Sequence, residues 1–251
     1  MPCPHNMMIL SVKNLSKAFG GVHAVDDCSF SVESGQITAL IGPNGAGKTT
    51  AFNLISGLTE SDGGTVVLDG VDLTNLSAHR RAKAGLSRTF QLVRLFKNLM
   101  IREHLYLATS ENDDRFLASG FASDAGHLET KMQETLQLVG LDKPPSTLAL
   151  ELSYGQQKIL DLARALAKPH KLLMLDEPVA GINPVLRDRF KTLLKQLKAR
   201  GETILVIEHD MDFVRSVADQ VIVMDQGRVL AEGEPEAVLS DKRVLEAYLG
   251  T

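Results

Sequence analysis

Short runs of apolar and β-branched residues alternate with polar turn residues in the first quarter of the chain, a pattern typical of β-strands. The runs predict strands over residues 8–12, 29–32 and 37–41. A further run, residues 66–73, reverses at Asp69-Gly70, a pair that favours a tight hairpin turn. We therefore expect this part of the chain to be rich in strands.

The spacing of apolar residues becomes helical from about residue 77 to residue 166. It predicts helices over residues 102–109 and 128–139. Residues 111–126 lie between them, are rich in Asp, Ser, Gly and Ala, and predict a loop.

Strands return after residue 166 and alternate with helices, as they do in α/β folds. The pattern predicts strands over residues 171–175 and 203–207, and a hairpin formed by residues 221–224 and 228–231. The pattern therefore predicts an α/β core that is interrupted by a helical segment.

One helix between these strands has clear ends. Asn183-Pro184 supplies an N-cap and a proline at the first helical position, and Gly201 ends the helix. Its predicted apolar stripe is Val185, Leu186, Phe190, Leu193, Leu194 and Leu197.

Composition narrows the class of protein. The chain has 251 residues, of which 44% are apolar, so it is long enough to bury a full core. No apolar run approaches the ~20 residues of a membrane span, and the first ten residues lack a signal-peptide pattern. We therefore expect a cytosolic protein. Cys3 and Cys28 lack metal-site spacing, and a disulfide is not expected.

Charge gives little support for a nucleic-acid partner. The net charge is −4, and acidic and basic residues are interspersed along the chain. The local basic cluster of Arg80, Arg81, Lys83 and Arg88 predicts a solvated helix face.

A glycine-rich loop follows the predicted strand at residues 37–41 and precedes a predicted helix over residues 51–57. It has the phosphate-loop pattern Gly, four residues, Gly, Lys, Ser/Thr. A plain turn between strand and helix is the alternative, which the flanking elements disfavour. In a phosphate loop, Lys48 reaches the outer phosphates and Thr49 ligates Mg²⁺. The residues of this loop are Gly42, Pro43, Asn44, Gly45, Ala46, Gly47, Lys48, Thr49 and Thr50.

Two carboxylates end the apolar strand predicted over residues 171–175. Ligands bind at the carboxyl ends of parallel strands, so Asp176 is a candidate to hold Mg²⁺, and Glu177 a candidate to polarise an attacking water. An ordinary acidic turn at a strand end is the alternative, which the nearby phosphate loop makes less attractive.

The motif Ser153-Tyr154-Gly155-Gln156 begins a helix about twenty residues before Asp176. Ser153 is placed to cap that helix and leave backbone N–H groups for an anion. In this order and spacing the motif resembles the signature of ATP-binding cassette (ABC) ATPases, and the resemblance covers nearly the whole chain. It implies an α/β phosphate-loop NTPase core with an antiparallel β subdomain and an inserted helical subdomain at about residues 92–166. One ABC domain would span residues 8–250, after an N-terminal tail of residues 1–7.

The resemblance assigns further residues to an ATP and Mg²⁺ site. Phe19 matches the aromatic residue that stacks on adenine, and Gln91 matches the glutamine that touches Mg²⁺. His209 matches the switch histidine that contacts the γ-phosphate, although a lone histidine is more often structural. The implied catalytic residues are Glu177, His209, Lys48 and Gln91. The implied nucleotide-binding residues add Ser153, Gly155, Gln156 and Asp176, and the implied Mg²⁺ ligands are Thr49, Gln91 and Asp176.

Two positions depart from the family pattern. Tyr154 stands where the signature often has Gly, and Asn183 stands where many ABC proteins have Asp. Asn183 keeps a side-chain acceptor without a charge, so communication between subunits stays possible.

A narrower resemblance rests on short stretches. Residues 87–91, 94–96, 181–184 and 246–250 are similar to the ATP-binding subunits of branched-chain amino acid importers. Transporters of urea or amides, lipid exporters and a soluble iron–sulfur assembly ATPase are the alternatives.

The resemblance also implies partners and a location. It implies a second ABC ATPase subunit, identical or different, which together with the first encloses two ATP molecules. It also implies integral membrane permeases, an extracytoplasmic solute-binding protein that acts indirectly, and a peripheral location at the cytoplasmic side of the inner membrane. Apolar residues between 92 and 107 either dock to a permease or pack inside the helical subdomain.

Overall fold

A computed structural model of the chain describes residues 7–109 and 125–249. The chain forms two compact units. The first contains the residues up to Arg88, His170–Val179 and the residues from Phe190 onward, and the second contains Thr89–Pro169 and Ala180–Arg189.

The elements of the described residues are numbered in chain order. The strands are β1 (Met8–Phe19), β2 (Val22–Glu33), β3 (Ile37–Ile41), β4 (Gly63–Leu68), β5 (Val71–Asp72), β6 (Leu86–Arg88), β7 (Leu172–Asp176), β8 (Ile204–Ile207), β9 (Gln220–Asp225) and β10 (Arg228–Gly233). The helices are α1 (Lys48–Ser56), α2 (Ala78–Lys83), α3 (Ile101–Thr109), α4 (Ala125–Val139), α5 (Tyr154–Ala167), α6 (Pro184–Ala199), α7 (Met211–Val217), α8 (Pro235–Leu239) and α9 (Lys242–Leu249).

The first unit is built on a six-stranded sheet with the order β10-β9-β3-β8-β7-β6. All its neighbouring strands are parallel except the edge pair of β9 and β10. Every residue of β3, β7 and β8 is buried, as expected for strands that are covered on both faces. Leu40 lies opposite Ile207, which lies opposite Asp176, so the three strands end at the same level.

A second sheet of the same unit is antiparallel, with the order β2-β1-β4-β5. The predicted hairpin is confirmed, because Asp69 and Gly70 turn between β4 and β5 with φ angles of 46° and 77°. β1 and β2 are much longer than the predicted strands. Cys28 is buried in this sheet, and its burial raises the pKa of the thiol to about 12.

Helix α1 is held at its C-terminus by a buried arginine. Gly57 ends the helix in the left-handed region, at φ 74°. Arg81 of α2 donates hydrogen bonds to the carbonyls of Leu54 and Ile55 at 2.6 and 2.9 Å, and so satisfies acceptors that a helix end leaves open. It also donates to the carbonyls of Thr74 and Leu76.

The predicted solvated helix face is therefore wrong for two of its four residues. Arg81 is 4% exposed, and the side chain of Arg88 is 6% exposed. Both guanidinium groups are buried because each finds several oxygen acceptors.

The second unit is helical. Helices α3 and α4 both pack against α5, and an isolated bridge pairs Met100 with Leu148. Its core contains the side chains of Ile101, Leu105, Met132, Leu136, Leu160 and Ala163. Of the predicted loop at residues 111–126, all but the last two residues lie outside the described part of the chain, and those two begin α4.

Helix α6 begins and ends as predicted. The side chain of Asn183 accepts a hydrogen bond from the Leu186 N–H at 2.9 Å, which is an N-cap contact. Phe190, Leu193, Leu194 and Leu197 are buried, but Val185 is 69% exposed, so the apolar stripe is buried only beyond the first turn.

Among the described residues, no helix combines the length and the apolar character that a membrane crossing requires. The predicted N-terminal tail lies outside these residues except for Met7, whose carbonyl accepts a hydrogen bond from Ser34.

Replacing Arg81 by Met keeps the length of the side chain but removes the donors that Arg81 supplies to the carbonyls of Leu54 and Ile55. We expect the free energy of unfolding in urea to fall by about 2–3 kcal/mol, because buried acceptors lose their partners. Arg80→Met, on an exposed position of the same helix, should change it by less than about 0.5 kcal/mol. Equal losses in the two variants would contradict the role assigned to Arg81.

Candidate nucleotide site

The loop between β3 and α1 has a backbone that only glycine fits at two positions. Gly42 and Gly47 have φ angles of 149° and 96°. A β-carbon at Gly42 would lie 2.1 Å from the carbonyl oxygen of Met224, and one at Gly47 would lie 2.2 Å from that of Ala24. The loop is therefore packed directly against the backbone of neighbouring strands.

Backbone hydrogen bonds support this loop from behind. The Gly227 N–H donates to the Ala46 carbonyl at 3.1 Å, and the Asp26 N–H donates to the Gly227 carbonyl at 2.9 Å. Gln226 and Gly227, both with positive φ, form the turn between β9 and β10. The loop thus keeps its shape through contacts with two hairpins.

The first turn of α1 directs N–H groups at the loop. The first helical hydrogen bond runs from the Ala51 N–H to the Gly47 carbonyl at 2.8 Å. The N–H groups of Lys48, Thr49 and Thr50 precede that bond, and Gly47 has no side chain to cap them. Together with the helix dipole they form a cradle for an anion.

The ammonium group of Lys48 spans the loop. It donates to the carbonyls of Gly42 and Pro43 at 2.7 and 2.9 Å. Burial lowers the pKa of Lys48, and the negative charge of Glu177 partly offsets this effect. The interaction places a carboxylate and an ammonium at the same end of the sheet.

Asp176 and Glu177 lie where β7 ends. Asp176 is 3% exposed, and its Oδ2 accepts a hydrogen bond from Nη2 of Arg88 at 2.9 Å. Glu177 has a left-handed backbone, with φ 47°, and its N–H donates to the Ile207 carbonyl at 3.1 Å. A non-glycine residue in this region stores strain, which is frequent at functional sites.

The segment after β8 contains a buried carboxylate beside an exposed histidine. Glu208 accepts hydrogen bonds from the N–H groups of Val179 and His209, at 3.1 and 3.3 Å. Burial raises the pKa of Glu208, and the two backbone hydrogen bonds oppose the rise. Glu208 therefore joins the segment that follows Glu177 to the segment that carries His209.

Two aromatic residues of this unit differ in exposure. Phe19 ends β1, is 51% exposed, and has the Lys17 ammonium 5.6 Å from its ring centre. Tyr248 of α9 has a buried hydroxyl oxygen, and burial raises its pKa to about 12, an effect that the backbone of Gly42 partly offsets.

In the helical unit, Ser153 caps α5 as predicted. Its Oγ accepts a hydrogen bond from the Gln156 N–H at 3.4 Å, and the Gln156 side chain accepts one from the Ser153 N–H at 3.0 Å. A β-carbon at Gly155 would lie 2.3 Å from Leu186. Ser153 is exposed, so the start of the helix faces solvent.

The segment that contains Gln91 is tied to the same helix. The carbonyl of Arg94 accepts a hydrogen bond from Arg164 at 3.3 Å, and the Phe90 backbone interacts with Asp161. Asp161 and Arg164 in turn pair at 3.0 Å. Gln91 is exposed.

Comparison with known proteins places this site in a family. Residues 25–180 match the ABC transporter family, and residues 228–251 match the family described as branched-chain amino acid ATP-binding cassette transporter. The chain belongs to the ABC transporter family.

Relatives and solved structures agree with the assignment. A high-affinity branched-chain amino acid transport ATP-binding protein, BraF, from Pseudomonas aeruginosa is 40% identical over 96% of this chain and 98% of its own. A probable branched-chain amino acid transport ATP-binding protein, LivG, from Archaeoglobus fulgidus is 39% identical over 97% and 96%. The crystal structure of the ADP conformation of MJ1267, an ATP-binding cassette of an ABC transporter, is 35% identical, covers 98% of this chain and 100% of that one, and gives a TM-score of 0.85.

These findings confirm the predicted family, fold class and activity. The protein is an ABC ATPase that binds and hydrolyses ATP, with a phosphate-loop core, an antiparallel sheet and a helical insertion.

The structure divides the predicted site residues of this ABC ATPase between its two units. The first unit brings together the phosphate loop, Asp176, Glu177 and His209 at the carboxyl ends of β3, β7 and β8, with Phe19 in the same unit. The helical unit contains Gln91, Ser153, Gly155 and Gln156. Their roles in binding and catalysis are proposals, developed below.

Two residues that shape the site of this ABC ATPase were not predicted from the sequence. Arg88 binds Asp176, and Glu208 binds the loop after Glu177. For Glu208 the available signal was a charged residue directly after a predicted strand. For Arg88 there was none, because β6 is too short to be predicted and the partner of Arg88 lies 88 positions away.

Glu208→Gln tests the effect of the buried carboxylate on stability. Its raised pKa means that the folded state binds the Glu208 proton more tightly than the unfolded state, whose pKa is 4.5. The resulting stabilisation is complete below that value and is lost as the pH rises through the folded-state pKa. His209 and Glu177 are the charged neighbours, with opposite effects.

The stability of Glu208→Gln relative to the parent should therefore increase as the pH rises from 4.5. The loss of one backbone acceptor adds a constant offset, so the slope is the quantity to measure, by urea unfolding at several pH values. Glu232→Gln makes the same chemical change at an exposed position and serves as the control. A stability difference between Glu208→Gln and the parent that stays the same at every pH would contradict the raised pKa of Glu208.

Proposed function

We propose that this ABC ATPase is the ATP-hydrolysing subunit of an importer for branched-chain amino acids. The single observation that carries this choice of solute is the match of residues 228–251 to the branched-chain amino acid cassette family. The printed names of BraF and LivG support the same solute class.

The residues of the first unit fit a nucleotide with Mg²⁺. Hydroxyl and carboxylate oxygens are the ligand types that Mg²⁺ prefers, and Thr49 and Asp176 supply one of each. The N–H cradle at the start of α1 and the ammonium of Lys48 suit the phosphates. We infer that Thr49, Asp176 and Gln91 hold Mg²⁺, which when bound neutralises phosphate charge.

Hydrolysis needs a group that accepts a proton from water. In the proposed mechanism Glu177 orients the water and takes its proton, while the oxygen attacks the γ-phosphorus and the bond to the β-phosphate oxygen breaks. Lys48 stabilises the negative charge on the β-phosphate of the leaving ADP, and His209 contacts the γ-phosphate. The left-handed backbone of Glu177 and the Glu208 hydrogen bonds support this role, because they fix the two segments that carry Glu177 and His209.

The signature helix supplies the other half of the proposed ATP site. Ser153 is exposed at the capped start of α5, where helix N–H groups attract an anion. We infer that Ser153, Gly155 and Gln156 of one subunit cover the nucleotide on the phosphate loop of a second subunit, and that Phe19 stacks on adenine. ATP binding then closes the pair and hydrolysis opens it.

Transport requires separate membrane permeases, and the helical unit offers a surface for them. Leu92, Phe96 and Leu107 are 73%, 62% and 51% exposed, whereas Ile101 and Leu105 pack inside the unit. We propose that the exposed group docks to permeases on the cytoplasmic side of the inner membrane, and that a solute-binding protein acts on the outer side. Exposed apolar side chains of this size favour an interaction surface.

Uptake of labelled leucine tests the proposed function. In a strain that lacks this gene, the parent protein should restore uptake, and Glu177→Gln should not, because loss of the base lowers turnover by about 10²–10⁴-fold. Glu234→Gln, an exposed carboxylate without a capping hydrogen bond, should restore it. Restored uptake of urea but not leucine, or co-purification with soluble scaffold proteins alone, would contradict the importer assignment.

Two substitutions of Ser153 distinguish an effect on folding from an effect on the proposed dimer site. Asp and Asn both cap helices well, so Ser153→Asp and Ser153→Asn should each preserve stability. Only Asp adds a negative charge where the partner's nucleotide would lie, so ATPase turnover of Ser153→Asp should fall by roughly tenfold or more relative to Ser153→Asn. The ATP affinity of the isolated subunit should stay unchanged in both, measured by equilibrium binding. Equal turnover in the two variants would contradict a phosphate contact at this position.

A further inference from the structure

Arg88 is a buried arginine at the end of β6, and its guanidinium group contacts three polar side chains. Nη2 donates to Oδ2 of Asp176 at 2.9 Å, and the two side chains are 6% and 3% exposed. Nη1 donates to Oδ1 of Asn53 at 2.9 Å and to Oγ of Ser56 at 2.7 Å.

These contacts connect two elements that carry proposed Mg²⁺ ligands. Asn53 and Ser56 lie on α1, the helix whose first turn contains Thr49. Asp176 ends β7. The guanidinium carbon also lies 5.4 Å from the ring centre of Phe52, a third residue of α1.

We propose that Arg88 is a positioning residue for the divalent cation of this site. It fixes the plane of the Asp176 carboxylate relative to α1, so that the oxygens of Asp176 and Thr49 meet at one ion. The inference rests on the proposed Mg²⁺–nucleotide site and names a residue to which that proposal gives no role.

The physical argument rests on the rigid fork of the guanidinium group. A carboxylate that lacks a hydrogen-bonding partner is free to rotate, whereas a partnered one keeps its orientation toward a metal ion. Arg88 supplies that partner, because one nitrogen pairs with Asp176 while the other is fixed by two acceptors on the helix. Lysine has a single flexible ammonium and cannot reproduce this arrangement.

Mg²⁺-dependent binding of a fluorescent nucleotide tests the proposal without relying on turnover. The probe is mant-ADP, titrated first in EDTA and then at fixed mant-ADP with rising Mg²⁺. In Arg88→Met the half-saturating Mg²⁺ concentration should rise by about tenfold or more, the usual effect of losing a residue that orients a metal ligand. Affinity in EDTA should match the parent, because the N–H cradle is unchanged.

Arg81→Met is the matched control. Arg81 is also buried and also binds α1, but its hydrogen bonds go to the C-terminal carbonyls of that helix. Its half-saturating Mg²⁺ concentration should equal that of the parent, although its stability falls. An equal rise in Arg81→Met and Arg88→Met would overturn the proposal, since a general loosening of α1 would then explain both.

Arg88→Lys keeps the test decisive if Arg88→Met does not fold. Lysine preserves the charge beside Asp176 but not the fork, so an intermediate Mg²⁺ requirement is expected, and a value equal to the parent would overturn the proposal. If the parent protein bound mant-ADP with the same affinity in the presence and absence of Mg²⁺, that result would instead overturn the proposed Mg²⁺ site itself. The two failures are therefore distinguishable.

Discussion

The structure of the first unit depends on one constraint at the loop between β3 and α1. The loop must keep backbone N–H groups available to a ligand, yet a loop with open donors has few bonds of its own to hold it. The protein meets this constraint by packing the loop against other backbones, at distances that admit no side chain on Gly42 or Gly47. The turn between β9 and β10 and the strand β2 complete this support. The two sheets therefore fix the conformation of the loop that would bind an anion.

Buried charges organise the surroundings of that cradle. Arg81, Arg88, Asp176 and Glu208 are all buried, and each is matched by hydrogen bonds to backbone or to an opposite charge. Removal of one such group leaves its partners buried and unsatisfied, so each group restricts the local geometry to the arrangement that satisfies it. They connect α1, β7 and the segment after β8, which carry the proposed catalytic residues.

Much of the fold followed from hydrophobic periodicity and turn chemistry. β3 was predicted at its observed bounds, and the cap at Ser153 was predicted from residue type and position. β6 was missed because three residues are too few to show a period, and β1 and β2 were underestimated because their polar positions interrupt the apolar pattern. The burial of Arg81 and Arg88 could not be predicted, because it depends on acceptors that are distant in sequence.

The site motifs were recognisable because each is a contiguous run. The contacts among Asp176, Arg88 and α1 were not, because only the tertiary fold creates them.

Tyr248 gives the two family matches a physical connection. Its segment belongs to the stretch shared with branched-chain amino acid cassettes, whereas Gly42 belongs to the stretch shared across ABC transporters. The buried hydroxyl interacts with the backbone of that first loop glycine. A side chain from the second matched stretch thus contacts the backbone of a glycine in the first. The conformation of the phosphate loop therefore depends on a residue that lies outside the loop's own sequence motif.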